Sequence, residues 1–110
     1  GEKLIKLPGG GLEFGEGTIE CLHREFAEEL NLKIEVLEHF YTQEDFLVSR
    51  FRENEQLLTI YYTVNILNLE DLNILDDSIE NVKWISLHEE NPLPLPIDKI
   101  VFEKLKEKLF

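Results

Sequence analysis

Residues 10–32 read GGLEFGEGTIECLHREFAEELNL. A glycine-rich loop, a glutamate and the run Arg24-Glu25-Phe26-Ala27-Glu28-Glu29 follow one another there at fixed separations. A helix beginning near Thr18 turns by about 100° per residue, which brings Glu25, Glu28 and Glu29 within about 100° of one another. Ile19, Leu22, Phe26 and Leu30 gather about a quarter turn away, so one side of the helix is expected to pack while the other presents three carboxylates. Clustered carboxylates repel, and no lysine at the next turn relieves them. A hard divalent cation would. Oxygen donors select Mg²⁺, Mn²⁺ or Ca²⁺ over zinc, which usually takes His or Cys. Taken alone, the triad also reads as a solvated acidic helix in a chain that is acidic throughout.

The flanking residues decide between these readings. Pro8-Gly9-Gly10-Gly11 allows a sharp turn and a close backbone approach to a ligand, and Gly15-Glu16-Gly17 is a second corner just before the helix. Together with the helix they resemble the signature of the Nudix hydrolases, G-x5-E-x7-R-E-U-x-E-E-x-G-U, where U is a bulky apolar residue. Gly10, Glu16, Arg24, Glu25, Phe26, Glu28, Glu29 and Leu32 match in order. Asn31 stands where the signature has its last glycine. That position ends the helix, and Asn is the usual substitute for Gly in a left-handed conformation. A shuffled chain of this composition matches so fully on the order of once in ten thousand trials.

Composition bounds the rest. With 110 residues and 43% hydrophobic content, the chain is expected to form a single domain, 1–110, with one modest core. No apolar run reaches membrane-spanning length and no secretory segment opens the chain. The lone Cys21 cannot form an internal disulfide, which suits a reducing cytoplasmic location, and its carboxylate neighbours disfavour a reactive thiolate. A formal net charge of −12 argues against general nucleic-acid or anionic-membrane partners, which need a basic footprint. It also repels a phosphorylated substrate unless bound cations reverse the local field.

Along the chain, residues 3–7 alternate as a short strand leading into the glycine loop. Residues 34–41 and 57–67 are β-branched and aromatic enough to be strands, and 82–86, with the only tryptophan, Trp84, reads as another. Residues 91–96 are a proline-punctuated loop. A last helix is expected over 97–109, with Ile97, Ile100, Val101, Leu105 and Leu109 as its apolar stripe. This is an α/β order. The resemblance implies a Nudix-like α/β/α sandwich with a mixed sheet. That fold carries a strand or two ahead of the glycine loop, and the chain contains no methionine, so it is expected to lack its N-terminal strand or strands.

Nudix enzymes cleave the diphosphate of a nucleoside diphosphate linked to a further moiety, by water attack at phosphorus, with Mg²⁺ or Mn²⁺. Position by position, the resemblance makes Glu25, Glu28 and Glu29 metal carboxylates and the Gly9 carbonyl a further ligand, with Arg24 set against Glu16 to orient them. The base is a box glutamate in some members and a residue of a later loop in others, where Asp77 and Glu80 are the candidates. In the segment 42–56, Arg50 and Arg52 alternate and could grip phosphate bidentately, or pair with nearby acids. Phe46, Phe51, Tyr61 and Tyr62 could stack a base, or pack in the core. His23, His39 and His88 read as structural or solvent-facing.

The substrate is not legible. The proline of the family's ADP-ribose pyrophosphatases falls near Val48, where this chain has none. PLPIDKIV, residues 94–101, resembles a segment shared by bacterial Nudix proteins and Nudix-like transcriptional regulators. Two functional classes stand: a metal-dependent pyrophosphohydrolase, and a noncatalytic nucleotide-sugar sensor acting through a partner. Paired domains are common in the family and an open sheet edge invites pairing, so a homodimer is among the expectations.

Overall fold

A computed structural model describes residues 5–44 and 58–110. Helix α1, Thr18–Leu30, strand β1, Ile34–Thr42, strand β2, Ile60–Ile66, a single 3₁₀ turn at Leu69–Asp71 and helix α2, Pro96–Leu109, follow in chain order. Gly17 is the residue that caps α1 at its start. Glycine has no side-chain oxygen to cap the first turn, but Glu20 reaches back to accept from the Gly17 N–H at 3.1 Å, which is the return half of a capping box. The helix stops at Asn31, whose φ of 57° and ψ of 35° are left-handed. That turn lets the Leu32 N–H reach back to the Phe26 carbonyl and the Asn31 N–H to Ala27, both at 3.1 Å. Asn31 therefore does the work of the missing glycine, as its short polar side chain permits.

Strands β1 and β2 form an antiparallel pair running from Ile34 opposite Ile66 to Thr42 opposite Ile60, with irregularities between Val36 and Glu38 and between His39 and Tyr41. Gln43 extends the pairing, donating its N–H to the Thr59 carbonyl at 2.9 Å. Each helix packs at one end of this hairpin. Phe26, Leu30, Leu32 and Ile34 form one buried cluster with Leu22, Val36, Val64 and Ile66 around it. Tyr41, Ile97 and Val101 form the other, with Leu7, Phe40, Tyr61, Ile100 and Leu105. Burying each such side chain contributes about 1.5–3 kcal/mol.

Several expectations change. Ile5 to Leu7 belong to no strand among the described residues. Residues 82–86 are not a strand either; Trp84 is 77% exposed, and the segment lines an apolar cavity of about 380 Å³ with Phe26, Leu30, Leu93 and Phe102. Among the described residues the sheet consists of β1 and β2 alone, and residues 82–86 pair with neither. Ile19, placed on the packing face, is 46% exposed, and Leu109 of the α2 stripe is 58% exposed. Phe102, outside the expected stripe, is buried. Helix α2 begins one residue early because Pro96 occupies its first turn, where its fixed φ fits and its missing N–H costs nothing.

Candidate active site: an arginine hub over the acidic helix

Arg24 organises the box. Its Nη2 donates to Glu16 Oε1 at 2.7 Å and to the Gly11 carbonyl at 2.9 Å, and its Nε donates to Glu16 Oε2 at 3.0 Å. The third nitrogen, Nη1, meets Glu25 Oε1 at 2.8 Å, Glu28 Oε2 at 3.2 Å and Glu13 Oε1 at 3.4 Å. One planar guanidinium thus joins the glycine loop, the corner before the helix and two box carboxylates, which is the use that its fixed fork suits. Arg24's hydrogen bond to Glu16 holds that carboxyl down at about 2. The same bond raises the arginine further above its usual range. Glu16 also accepts from the Glu13 N–H at 2.9 Å, closing the Glu13–Glu16 turn, in which Gly15 takes a φ of 92°.

Glu25 is not presented to solvent as the helical wheel suggested. It is 8% exposed and lies beneath the glycine loop, so close that a Cβ on Gly10 would overlap its carboxyl group. Here the bare glycine backbone is required by space rather than by its own φ. Glu29, one turn on, faces Glu25: desolvation first, then hydrogen bonding and repulsion from Glu25, push its carboxyl up to about 7. Glu28 is turned to Arg24, its side chain 61% exposed. Among the described residues no three acidic, His or Cys side chains converge on one point.

Two observations make the donor set suit a hard cation. The groups are oxygen donors only, and the Glu25 and Glu29 carboxylates are held together against their own repulsion. A divalent cation answers both. The residues to hold it would be Glu25, Glu28 and Glu29, neighbours at i, i+3 and i+4 on one helix face.

An acid absent from the sequence reading joins this face. The Leu75 N–H donates to the Glu29 carbonyl at 2.8 Å and the Asn73 N–H to Leu30 at 3.0 Å, so the chain after the 3₁₀ turn runs against the end of α1 and satisfies its last carbonyls. Asp76 is thereby brought within electrostatic reach of Glu29, raising it further, while Lys6 opposes. Asp76 is itself fixed by Ser78, whose Oγ and N–H donate to it at 2.7 and 2.8 Å, and these bonds lower its carboxyl. Asp77 and Glu80, the candidates from sequence, are exposed, and neither is among the largest influences on Glu29. Sequence could have pointed to Asp76 only through the Asp-x-Ser turn it opens.

The other candidates divide. Tyr61 packs in the α2 cluster, and Tyr62 shares a 2.7 Å hydrogen bond with Thr18 at the start of α1. Cys21 is buried, its thiol directed to the Gly11 carbonyl at 3.6 Å; burial, then Glu16, pushes it up, which keeps it inert. His39 bonds Thr42 at 2.7 Å, and the His88 ring lies 4.2 Å from Phe110. Arg50, Arg52, Phe46 and Phe51 lie outside the described residues.

A glycine loop locked by arginine onto an acidic helix, with an antiparallel hairpin packed behind it, defines a Nudix-type arrangement. The match agrees in extent: residues 1–105 fit the NUDIX domain, and the chain belongs to that family. It is similar to the nucleoside triphosphatase NudI of Enterobacter sp. (strain 638), with 28% identity over 93 residues, 81% of this chain. The match spans 66% of that relative's length. No described helix is long and apolar enough to cross a membrane.

Proposed function

We propose that this chain is a metal-dependent pyrophosphohydrolase acting on a nucleoside diphosphate linked to a further group, a class that includes nucleoside triphosphates. The observation that carries the reading is the Arg24 hub, which holds Glu25 under the bare Gly10 backbone and ties it to Glu16 and Glu28. A helix face that served only as solvated surface needs no buried glutamate and no arginine joined to four glutamates. In this reading Glu25, Glu28, Glu29 and the Gly9 carbonyl hold Mg²⁺ or Mn²⁺, and Arg24 with Glu16 fixes the carboxylates. Held there, such a cation would supply positive charge against the diphosphate and would acidify a bound water. Arg50 and Arg52 grip the substrate's phosphates, and the family's mixed-sheet α/β/α sandwich and a cytoplasmic location belong to the same reading. The relative's description as a triphosphatase supports hydrolysis over the sensor.

The test is incubation with a panel of nucleoside triphosphates and nucleoside diphosphate sugars in Mg²⁺, in Mn²⁺ and in chelator, with nucleotide products resolved by anion exchange. Nucleoside monophosphate should form only with metal. Tight binding of a nucleotide sugar with no product in either metal would replace the enzyme with the sensor.

A further inference from the structure

Besides Glu25 in the site and Gln43 at the end of the hairpin where β1 leads toward β2, the buried polar side chain among the described residues is Asp98, 7% exposed. It lies in the first turn of α2, yet its two oxygens serve other parts of the chain. Oδ2 accepts from the Leu7 N–H at 3.1 Å and Oδ1 from the Tyr61 hydroxyl at 2.6 Å. We propose that Asp98 is a positioning residue for the site, fixing the chain just before the glycine loop and so setting where the Gly10 backbone meets Glu25. The inference rests on the functional reading above.

The loop is short and pinned at both ends. Beyond Gly10, the Gly11 carbonyl is held by Arg24; ahead of it, Leu7 is held by Asp98. Between the pins stand Pro8, whose φ is locked and whose ring also restricts Leu7, and Gly9, whose φ of 151° few other residues adopt. A displacement at Leu7 therefore passes through Pro8 and Gly9 to the Gly10 backbone beside the Glu25 carboxyl. Leu7 is also packed in the α2 cluster with Tyr61, and burial followed by the Asp98 bond raises the Tyr61 phenol, which keeps it the donor. A plainer role exists for an acid in a helix's first turn, stabilising the positive end of the dipole. That role asks nothing of Leu7 or Tyr61, and α2 carries no side-chain cap bond at its start.

The experiment compares the whole chain with Asp98→Ala, Asp98→Asn and Tyr61→Phe by amide hydrogen exchange and by Mn²⁺ titration. Losing a bond to a charged acceptor should speed exchange at Leu7 and residues 9–11 roughly tenfold in Asp98→Ala, relative to mid-α1 amides, and weaken Mn²⁺ binding by a similar factor. Asparagine keeps an oxygen for Leu7 and an amide for Tyr61, so Asp98→Asn should restore most of both. Should Asp98→Ala fail to fold, Tyr61→Phe, which frees one oxygen of the clamp, should still raise Leu7 exchange severalfold. Unchanged exchange at Leu7 in Asp98→Ala, or in Tyr61→Phe where that is the surviving variant, overturns the assignment. So does a loosened loop with wild-type Mn²⁺ affinity. A wild-type chain that binds no Mn²⁺ overturns the functional reading instead, and the exchange data then decide the Asp98 clamp on their own.

Discussion

Gly10→Ala isolates the closest contact of the site. A methyl there overlaps the Glu25 carboxyl, and Glu25 cannot swing aside freely because it is buried and held by Arg24 at 2.8 Å. Gly10 is not in the left-handed region, so the cost is steric and not conformational. Forcing an extra methyl into a packed contact costs about 1–3 kcal/mol. In a domain of this size that lowers Tm by roughly 4–12 °C. Displacing a cation ligand should also weaken Mn²⁺ binding about tenfold, the equivalent of 1.4 kcal/mol. Gly11→Ala is the control: its Cβ would meet nothing within 4 Å and its φ is ordinary. Alanine there restricts only the unfolded chain, so it should be neutral or stabilise by about 0.4–1 kcal/mol. Thermal melts and Mn²⁺ calorimetry on both variants decide the matter. Equal, mild effects at the two glycines would refute the close approach of loop and carboxylate.

Glu28→Gln and Glu29→Gln should each lower turnover by orders of magnitude with the fold intact, since each removes a charge that holds metal; near-normal rates in both would remove them from the site. Glu16 is held down at about 2, so its contribution to stability is present above its ordinary carboxylate range and lost as pH falls from there toward 2. Glu16→Gln should accordingly flatten the decline of Tm with acid in that window. Glu29 has the opposite sign: raised to about 7, it binds more protons folded than unfolded, so without metal it lowers stability as pH rises from about 4.5 to 7. Glu29→Gln should abolish that loss, and a pH–Tm profile identical to wild type would show that the two carboxylates do not repel. Replacing both Arg50 and Arg52 with Ala should raise KM strongly with Mn²⁺ affinity unchanged, whereas wild-type kinetics would mark them as surface charges.

The features legible in the sequence are the local ones. The box helix, its start at Thr18 and its left-handed stop at Asn31 follow from residues within a few positions of one another, and the Arg24–Glu16 pair follows from the resemblance. Strand formation was legible for 34–41 and in part for 57–67, where β2 begins only at Ile60. It misled for 82–86 because pairing depends on a neighbour that no pattern within the segment can supply. Burial of Glu25 was hidden for a related reason: a helical wheel shows direction but not the loop that folds over it. Asp98 and Leu7 lie 91 residues apart, and an acid two residues after a helix-starting proline ordinarily signals nothing beyond the dipole. Asp76 and Asp77 are indistinguishable in sequence, since only the chain path along the end of α1 separates one aspartate of the pair from the other.

Divalent metal held by the carboxylates of one helix underlies the proposed function. Calorimetric titration of Mn²⁺ into the wild-type chain and into Glu25→Gln, Glu28→Gln and Glu29→Gln tests that most directly. Each variant loses one ligand charge, so binding should be clear in the wild type and weaker by at least about tenfold in all three. No heat of binding up to millimolar Mn²⁺, or an affinity that none of the three substitutions alters, would contradict the account.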